Sequence, residues 1–268
     1  MNNKPIGVFD SGLGGLTVVK SIIEQMPEEN IIYFGDTAHV PYGSRSREQI
    51  TEYVMNDVRF LSGFDIKAIV IACNTADSVA KTSIEEKYPL PVFGAVAPAA
   101  KKAAAVTENN RIGVMATEAT IQSGAYERAI KSFNPDAVVI PEACPLLVPL
   151  IEEGRFSRGD IVIESVVKEY LELMKKENTD TIILGCTHYP LLYDIIKSEM
   201  PEINIVSSSL AAAESLKEMM KLNGMQNESG EKGELRIFVS DKAHDFEKHA
   251  EIFMGKKITG NISEVDPS

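Results

Sequence analysis

The chain has 268 residues, of which 44% are hydrophobic and 25% charged, with a formal net charge of −12. This composition excludes a disordered, collagen-like or disulfide-scaffold chain, and the length allows about two domains. With 27 Lys and Arg against 39 Asp and Glu, the chain lacks the electrostatic footprint of a nucleic-acid binder and the basic stripe of a protein that binds an anionic membrane, although a small anion can still be held by backbone dipoles.

In chain order, MNNKPIGVFD enters an apolar strand pattern within a few residues, with no signal-peptide core or cleavage site. No window approaches the ~18 apolar residues of a membrane-spanning helix. Strands are expected at IGVFD (6–10), IIYFGD (31–36), AIVIAC (68–73), PVFGAV (91–96), RIGVMA (111–116), AVVIPEA (137–143), TIILGC (181–186), INIVSS (203–208) and LRIFVS (235–240). Near-continuous apolar strands suit a parallel sheet covered on both faces.

Helical patterns fall between them. Residues 15–26 place Leu16, Val19, Ile22, Ile23 and Met26 on one face. Residues 46–64 open on Ser46 with Gln49 three positions on, a capping box. DSVAKTSIEEKY (77–88) follows the third strand, and 157–178 ends in lysines, as the helix dipole favours. NGMQNESGEKGE (223–234) reads as an exposed loop, and HDFEKHAEIFM (244–254) as a last helix. The alternation predicts an α/β protein with doubly wound parallel sheets. VAPAA (96–100) and SSSLAAA (207–213) are the candidate crossings between two halves.

One internal echo stands out. AIVIACNTA (68–76) and TIILGCTHYP (181–190) share one form: an apolar strand, a small residue, Cys, then a helix start. Each half would present a cysteine at the C-terminal end of a strand, where open parallel sheets bind ligands. A thiol at Cys73 or Cys186 would face unpaired helix N–H groups, which favour the thiolate. The alternative for each alone is a buried core cysteine; two copies of one arrangement favour function. Cys144 lacks the form and reads as structural. With no export signal, the three cysteines read as thiols in a reducing cytoplasm.

His188 sits two residues beyond Cys186 and can be acid, base or hydrogen-bond partner. A metal shell of Cys73, Cys186 and His188 stays open but ranks lower, because no local ligand pair supports it. DSGLGG (10–15) is a Gly-rich turn that is neither G-x-G-x-x-G nor a P-loop. Its N–H groups could hold a carboxylate, and Asp10 either orients a cation or caps the first helix. Pro41, Tyr42 and Gly43 form a turn that could wall a pocket. Thr117 and Thr120 read first as helix caps. Glu152, which ends the apolar run of VPLIEEG (148–154), points into a cleft or into solvent. No lysine sits in a pyridoxal phosphate setting, and no flavin or nicotinamide motif is present.

Two cysteines facing across a cleft can invert a stereocentre. A thiolate removes a proton from one face of a carbon, and a thiol returns one to the other. Asp10 beside Cys73 and His188 beside Cys186 would give each sulfur its own helper. Helix-start N–H groups would stabilise the enolate-like intermediate.

At these residues the sequence resembles the glutamate racemases of the aspartate/glutamate racemase superfamily. DSGLGG (10–15), PYG (41–43), ACNTA (72–76) and GCTHYP (185–190) look like the family's signature set, and ACP with VPLIEEG (143–154) is similar to a further segment. ACNTA with GCTHYP is the specific part of the likeness, which spans about residues 6 to 210. The resemblance implies a cytoplasmic, cofactor-independent and metal-free racemase that makes D-glutamate for peptidoglycan. It also implies two α/β domains related by pseudo-twofold symmetry, with L- or D-glutamate between them. The first would comprise residues 1–97 and 208–268, the second residues 98–207.

By the same resemblance, Cys73 acts on D-glutamate and Cys186 on L-glutamate, assisted by Asp10, Glu152 and His188. Ser11, Pro41, Tyr42, Gly43, Asn74, Thr75, Thr117, Thr120 and Thr187 hold the substrate, together with Asp10 and His188. A homodimer is compatible with this reading. One departure is SSS (207–209), where many family members carry Asp-Ser, so a role resting on that Asp is in doubt here. The alternatives are an aspartate racemase of the same superfamily, a non-catalytic amino-acid-binding protein on this scaffold, and a thiol-redox or zinc protein.

Overall fold

A computed structural model describes residues 2–241, 246–258 and 262–267. The first run of elements is β1 (Ile6–Asp10), α1 (Leu16–Gln25), β2 (Ile31–Gly35), α2 (Arg47–Ser62), β3 (Ala68–Ile71), α3 (Asn74–Lys87) and β4 (Val92–Phe93). The second opens with α4 (Val96–Val106), β5 (Arg111–Ala116), α5 (Glu118–Ser123), α6 (Ala125–Phe133) and β6 (Val138–Ala143). It continues through α7 (Leu147–Glu152), α8 (Ile161–Lys176), β7 (Thr181–Gly185), α9 (Tyr193–Glu199) and β8 (Asn204–Ser207). The chain then returns through α10 (Ser208–Leu222), β9 (Leu235–Val239), α11 (Phe246–Met254) and β10 (Ile262–Glu264).

The strands form two wholly parallel sheets, in the orders β10-β9-β2-β1-β3-β4 and β6-β5-β7-β8. Within the first, β2-β1-β3-β4 repeats the order of the second, strand for strand. Cys73 and Cys186 therefore follow topologically equivalent strands, β3 and β7, and Ser11 and Thr117 follow the equivalent strands β1 and β5. In both sheets the winding reverses at the first strand of the unit, which opens a crevice at the strands' C-terminal ends.

Both faces of the first sheet are apolar, as a doubly covered sheet requires. Val8, Tyr33 and Val70 pack on one side with Leu16, Val19 and Ile22 of α1. Phe9, Phe34 and Ile71 pack on the other with Ile50, Val54 and Val58 of α2. Ser46 caps α2 as its capping box predicts, accepting the Gln49 N–H at 3.3 Å.

Several expected boundaries move for identifiable reasons. The strand expected over 91–96 stops at Phe93, because Asp77 Oδ2 accepts the Val96 N–H at 2.7 Å and starts α4 there. The helix expected from 157 starts at Ile161. Arg155 grips Asp160 through two contacts of 2.9 and 2.7 Å, and Asp160 accepts the Val162 N–H as the true cap. Both candidate crossings are helix starts, VAPAA opening α4 and SSSLAAA opening α10. The 223–234 segment is mostly exposed, but Asn227 is buried and donates its N–H to Glu29 Oε1 at 2.8 Å. Residues 244 and 245 of the expected last helix lie outside the described residues; the helix is present from Phe246. Among the described residues, no helix is long and apolar enough to cross a membrane.

Candidate active site

The C-terminal ends of the two sheets meet around a cavity of about 30 Å³ lined by Ser11, Val40, Pro41, Tyr42, Gly43, Cys73, Asn74, Thr75, Thr117, Val148, Cys186, Thr187 and His188. Eleven of these are residues singled out from the sequence; Val40 and Val148 are additions. Both cysteines are free and buried, and both border this one space. Asp10, Glu152 and Thr120 do not line it and reach it through neighbours.

Cys73 caps α3. Its sulfur accepts the Ala76 N–H at 3.5 Å, and the Ser11 hydroxyl lies 3.6 Å away. The helix start was expected to favour the thiolate. Burial instead dominates, the Asp10 carboxyl adds to it, and the thiol is pushed up to about 12. Burial thus holds Cys73 toward its neutral thiol form. A bound ammonium group would act in the opposite sense, since a nearby cation favours a thiolate.

Cys186 has a different helper. Its sulfur lies 3.9 Å from His188 Nδ1, and His188 Nε2 lies 3.2 Å from Glu152 Oε1. Burial works against a charged ring, but hydrogen bonds to Cys186 and Glu152 outweigh it and push His188 up to about 10. At neutral pH an imidazolium faces the Cys186 sulfur. Glu152 approaches the ring from behind, from the last turn of α7, with its side chain 40% exposed.

Asp10 does not cap α1, whose cap residue is Gly15 with no side-chain bond. It is fully buried, and Oδ2 accepts the N–H groups of Gly12 and Gly15 at 3.2 and 2.9 Å. Two of the turn's donors expected to hold a substrate carboxylate are therefore occupied by the protein's own carboxyl. Burial raises the Asp10 carboxyl above the usual range, against the opposing charge of His188. Asp10 thus organises the Gly-rich turn beside Cys73.

The glycines of that turn permit a close approach between the two halves. A Cβ at Gly14 would lie 2.4 Å from Thr187 Oγ1 and 2.5 Å from His188 Nδ1. The Thr17 hydroxyl bridges the same seam, within 3.1 Å of the Thr187 carbonyl and 2.8 Å of Ser209 Oγ.

Hydroxyls and amides close the rest of the cavity. Thr75, Thr117 and Thr120 form a triangle with Oγ1 separations of 2.9, 3.2 and 2.9 Å, joining α3 to the start of α5. Thr117 is also the cap of α5, as read from sequence. The Asn74 amide accepts from Tyr126 at 2.6 Å and donates to Ser208 at 3.1 Å, leaving one N–H and one lone pair for a ligand. Ser208 donates in turn to the Leu184 carbonyl at 2.8 Å, and Ser207 caps α10. Each of the three serines that stand where Asp-Ser is usual has a defined bond: Ser208 links Asn74 to the Leu184 carbonyl, Ser209 meets Thr17, and Ser207 caps its own helix.

Tyr42 was read as a substrate-holding residue. Its ring turns away from the cavity, and its hydroxyl reaches the buried carboxyls of Asp36 and Asp57. Neither Asp was singled out from the sequence. The signal was there for Asp57, an acidic residue inside the apolar stripe of Ile50, Val54, Val58 and Leu61 on α2. Cys144 is buried away from the cavity beside Glu142, as a structural thiol should be. Among the described residues, no group of three or more His, Cys, Asp or Glu side chains is arranged to hold a metal ion, which leaves the Cys73–Cys186–His188 shell without geometric support.

Comparison with known proteins agrees with this geometry. The Asp/Glu/Hydantoin racemase family is matched over residues 6–216. A glutamate racemase from Sulfurihydrogenibium is 45% identical, over 98% of this chain and 98% of its own. The crystal structure of a glutamate racemase isoform from Bacillus anthracis superposes with a TM-score of 0.93 at 38% identity, covering 99% of this chain and 98% of that one. A glutamate racemase from Francisella tularensis, in complex with D-glutamate, gives 0.93 at 36% identity, with 100% and 99% covered. Fold order, paired cysteines and relatives matched end to end lead to one conclusion: the chain belongs to the Asp/Glu/Hydantoin racemase family.

Proposed function

We propose that the protein interconverts L- and D-glutamate by passing the α-proton between Cys73 and Cys186. The observation that carries this reading is that both cysteines line one cavity from equivalent positions in two copies of the same sheet order. The substrates named for the relatives support glutamate over aspartate.

One sulfur, as thiolate, takes the α-proton, and the electron pair moves into an enolate of the α-carboxylate. The other, as thiol, donates its proton to the opposite face. The C–H bond broken and the C–H bond formed lie on opposite sides of the carbon, and the two sulfurs end with exchanged protonation states. No cofactor or metal is needed, because the side chains supply both acid and base. Asp10 tunes the Cys73 side, and His188 with Glu152 the Cys186 side. Ser11, Asn74, Thr75, Thr117, Thr187 and the backbone of 41–43 meet the carboxylates and the ammonium group, with Thr120 behind them.

A cavity of about 30 Å³ has room for little more than a water molecule, so the halves must part to admit an amino acid. We take residues 1–97 with 208–268 as one domain and 98–207 as the other, dividing the chain at α4 and α10. A cytoplasmic location, a role in supplying D-glutamate for peptidoglycan and a homodimeric assembly belong to the same reading and rest on the family resemblance.

The test is turnover of each glutamate enantiomer by the purified protein in D2O, followed by circular dichroism and by NMR of the α-position. Deuterium appearing at Cα as the optical signal decays to zero is the expected result. Preferential turnover of L-aspartate would redirect the substrate assignment, and binding without α-exchange would show a non-catalytic protein.

A further inference from the structure

Tyr42 contributes to the cavity wall, yet its ring is buried at 1% exposure in the core beneath α2. The phenol oxygen lies 2.6 Å from Asp36 Oδ2 and 3.0 Å from Asp57 Oδ2. A phenol has one hydrogen to donate, so it cannot satisfy two carboxylates. One of the two acids must carry a proton and donate it to the phenol oxygen.

The surroundings say which. Asp36 has other donors: His39 Nδ1 lies 2.9 Å from both its oxygens, and Ser240 Oγ lies 2.7 Å from Oδ1. Asp57 is 1% exposed within the apolar stripe of α2, and among the described residues its Oδ1 meets no hydrogen-bond partner. Burial, and then the charge of Asp36, hold its carboxyl well above the usual range. The chain of donors therefore runs from the Asp57 carboxylic acid to the Tyr42 oxygen, and from the Tyr42 O–H to the Asp36 carboxylate.

We propose that Asp57 and Asp36 are positioning residues for the reaction, acting through the Tyr42 hydroxyl to fix the Pro41–Gly43 wall against the substrate cavity. Two separate elements hold this anchor. Asp57 belongs to α2, and the Asp36 N–H donates to the Asp10 carbonyl at 3.0 Å, at the end of the β1–β2 ladder. The wall has little slack, since a Cβ at Gly43 would lie 2.7 Å from Thr117 Cβ on the opposite half. A shift at Tyr42 is thus transmitted to the hydroxyls that face the ligand. Only the choice of substrate rests on the glutamate racemase reading; the anchor itself does not.

The variants Asp57→Asn, Asp57→Ala and Tyr42→Phe test this in the full-length protein. The measurements are KM and kcat for both glutamate enantiomers, melting temperature, and hydrogen exchange at the amides of residues 42–45. Asparagine keeps an N–H donor toward the phenol oxygen, as the protonated acid does. Asp57→Ala and Tyr42→Phe should raise KM about tenfold, the worth of roughly one hydrogen bond, and change kcat by less than about threefold. Both should speed exchange at 42–45, and Asp57→Asn should return KM and exchange to within about twofold of wild type.

If Asp57→Ala and Tyr42→Phe lower only the melting temperature, or if Asp57→Asn is as damaging as Asp57→Ala, the proposal is wrong. Should Asp57→Ala fail to fold, Tyr42→Phe carries the same comparison. If the wild type does not turn over glutamate, the substrate assignment fails separately, and exchange at 42–45 still decides whether the anchor exists.

Discussion

Gly14 lies so close to His188 that a single added methyl group would stand 2.5 Å from the ring Nδ1. The contact joins the first turn of one half to the helper of Cys186 in the other. Gly14→Ala should therefore displace the ring or part the halves. Overpacking of this kind costs about 1–3 kcal/mol of stability, and a misplacement of about 1 Å can cost on the order of 10²-fold in rate. Turnover of L-glutamate and a thermal melt measure both effects; a variant with wild-type kcat would show that the seam relaxes without moving His188.

Cys73→Ser and Cys186→Ser should each reduce racemisation by about 10² to 10⁴-fold, the usual worth of a positioned acid or base. Each variant keeps one sulfur, so each should favour solvent exchange or elimination from one enantiomer of a suitable substrate. Near-wild-type racemisation by either variant would break the two-base assignment.

His188 provides a pH prediction. Its folded value of about 10 lies above the ordinary 6.5, so protonation stabilises the folded state. That contribution is fully present below about 6.5 and is lost as pH rises through about 10. The gap in melting temperature between wild type and His188→Asn should therefore narrow between pH 6 and pH 10. NMR titration of labelled histidine should find His188 near 10, and Glu152→Gln should lower it. A ring titrating near 6.5 in wild type would refute the pairing.

Cys144→Ser separates the third cysteine from the other two. The thiol is fully buried, and burial raises it. Replacing it with a hydroxyl should cost roughly 1–3 kcal/mol, as for a polar group without a good partner. Glutamate turnover should stay within about twofold per active molecule, since Cys144 does not border the cavity. A large loss of kcat in a protein that melts normally would give Cys144 a role in the reaction.

The parts of this architecture legible in sequence are those where one signal dominates. Apolar, β-branched runs such as IIYF and AIVI suit strands buried on two faces, and Ser46 with Gln49 marks a helix start. The strand–Cys–helix echo brought out both sulfurs. What stayed hidden depends on contacts distant in sequence. Asp77 ends the PVFGAV strand early by bonding to Val96, and Arg155 makes Asp160 the cap of α8. β10 has only Ile262 as a strongly apolar residue in its run of three. At Cys73 the helix-start bond favours the thiolate, as the sequence indicates, but the depth of burial that outweighs it depends on packing that the sequence does not display. The anchor behind the Pro41–Gly43 wall stays hidden in sequence because the partners of the Tyr42 hydroxyl, Asp36 and Asp57, lie on other elements.

One feature of the topology bears on how the molecule is made. β9 and β10 extend the first sheet beyond β2, yet they follow the whole of the four-stranded sheet in the chain. During synthesis, β2 leaves the ribosome long before its neighbour β9, with its outer edge open to stray pairing. The interposed unit has all four of its strands once residue 207 emerges, so it can assemble while the surrounding one waits. Nascent chains halted near residue 245, with β8 outside the exit tunnel and β9 still within it, should accordingly resist protease in their middle third and be cut within their first hundred residues.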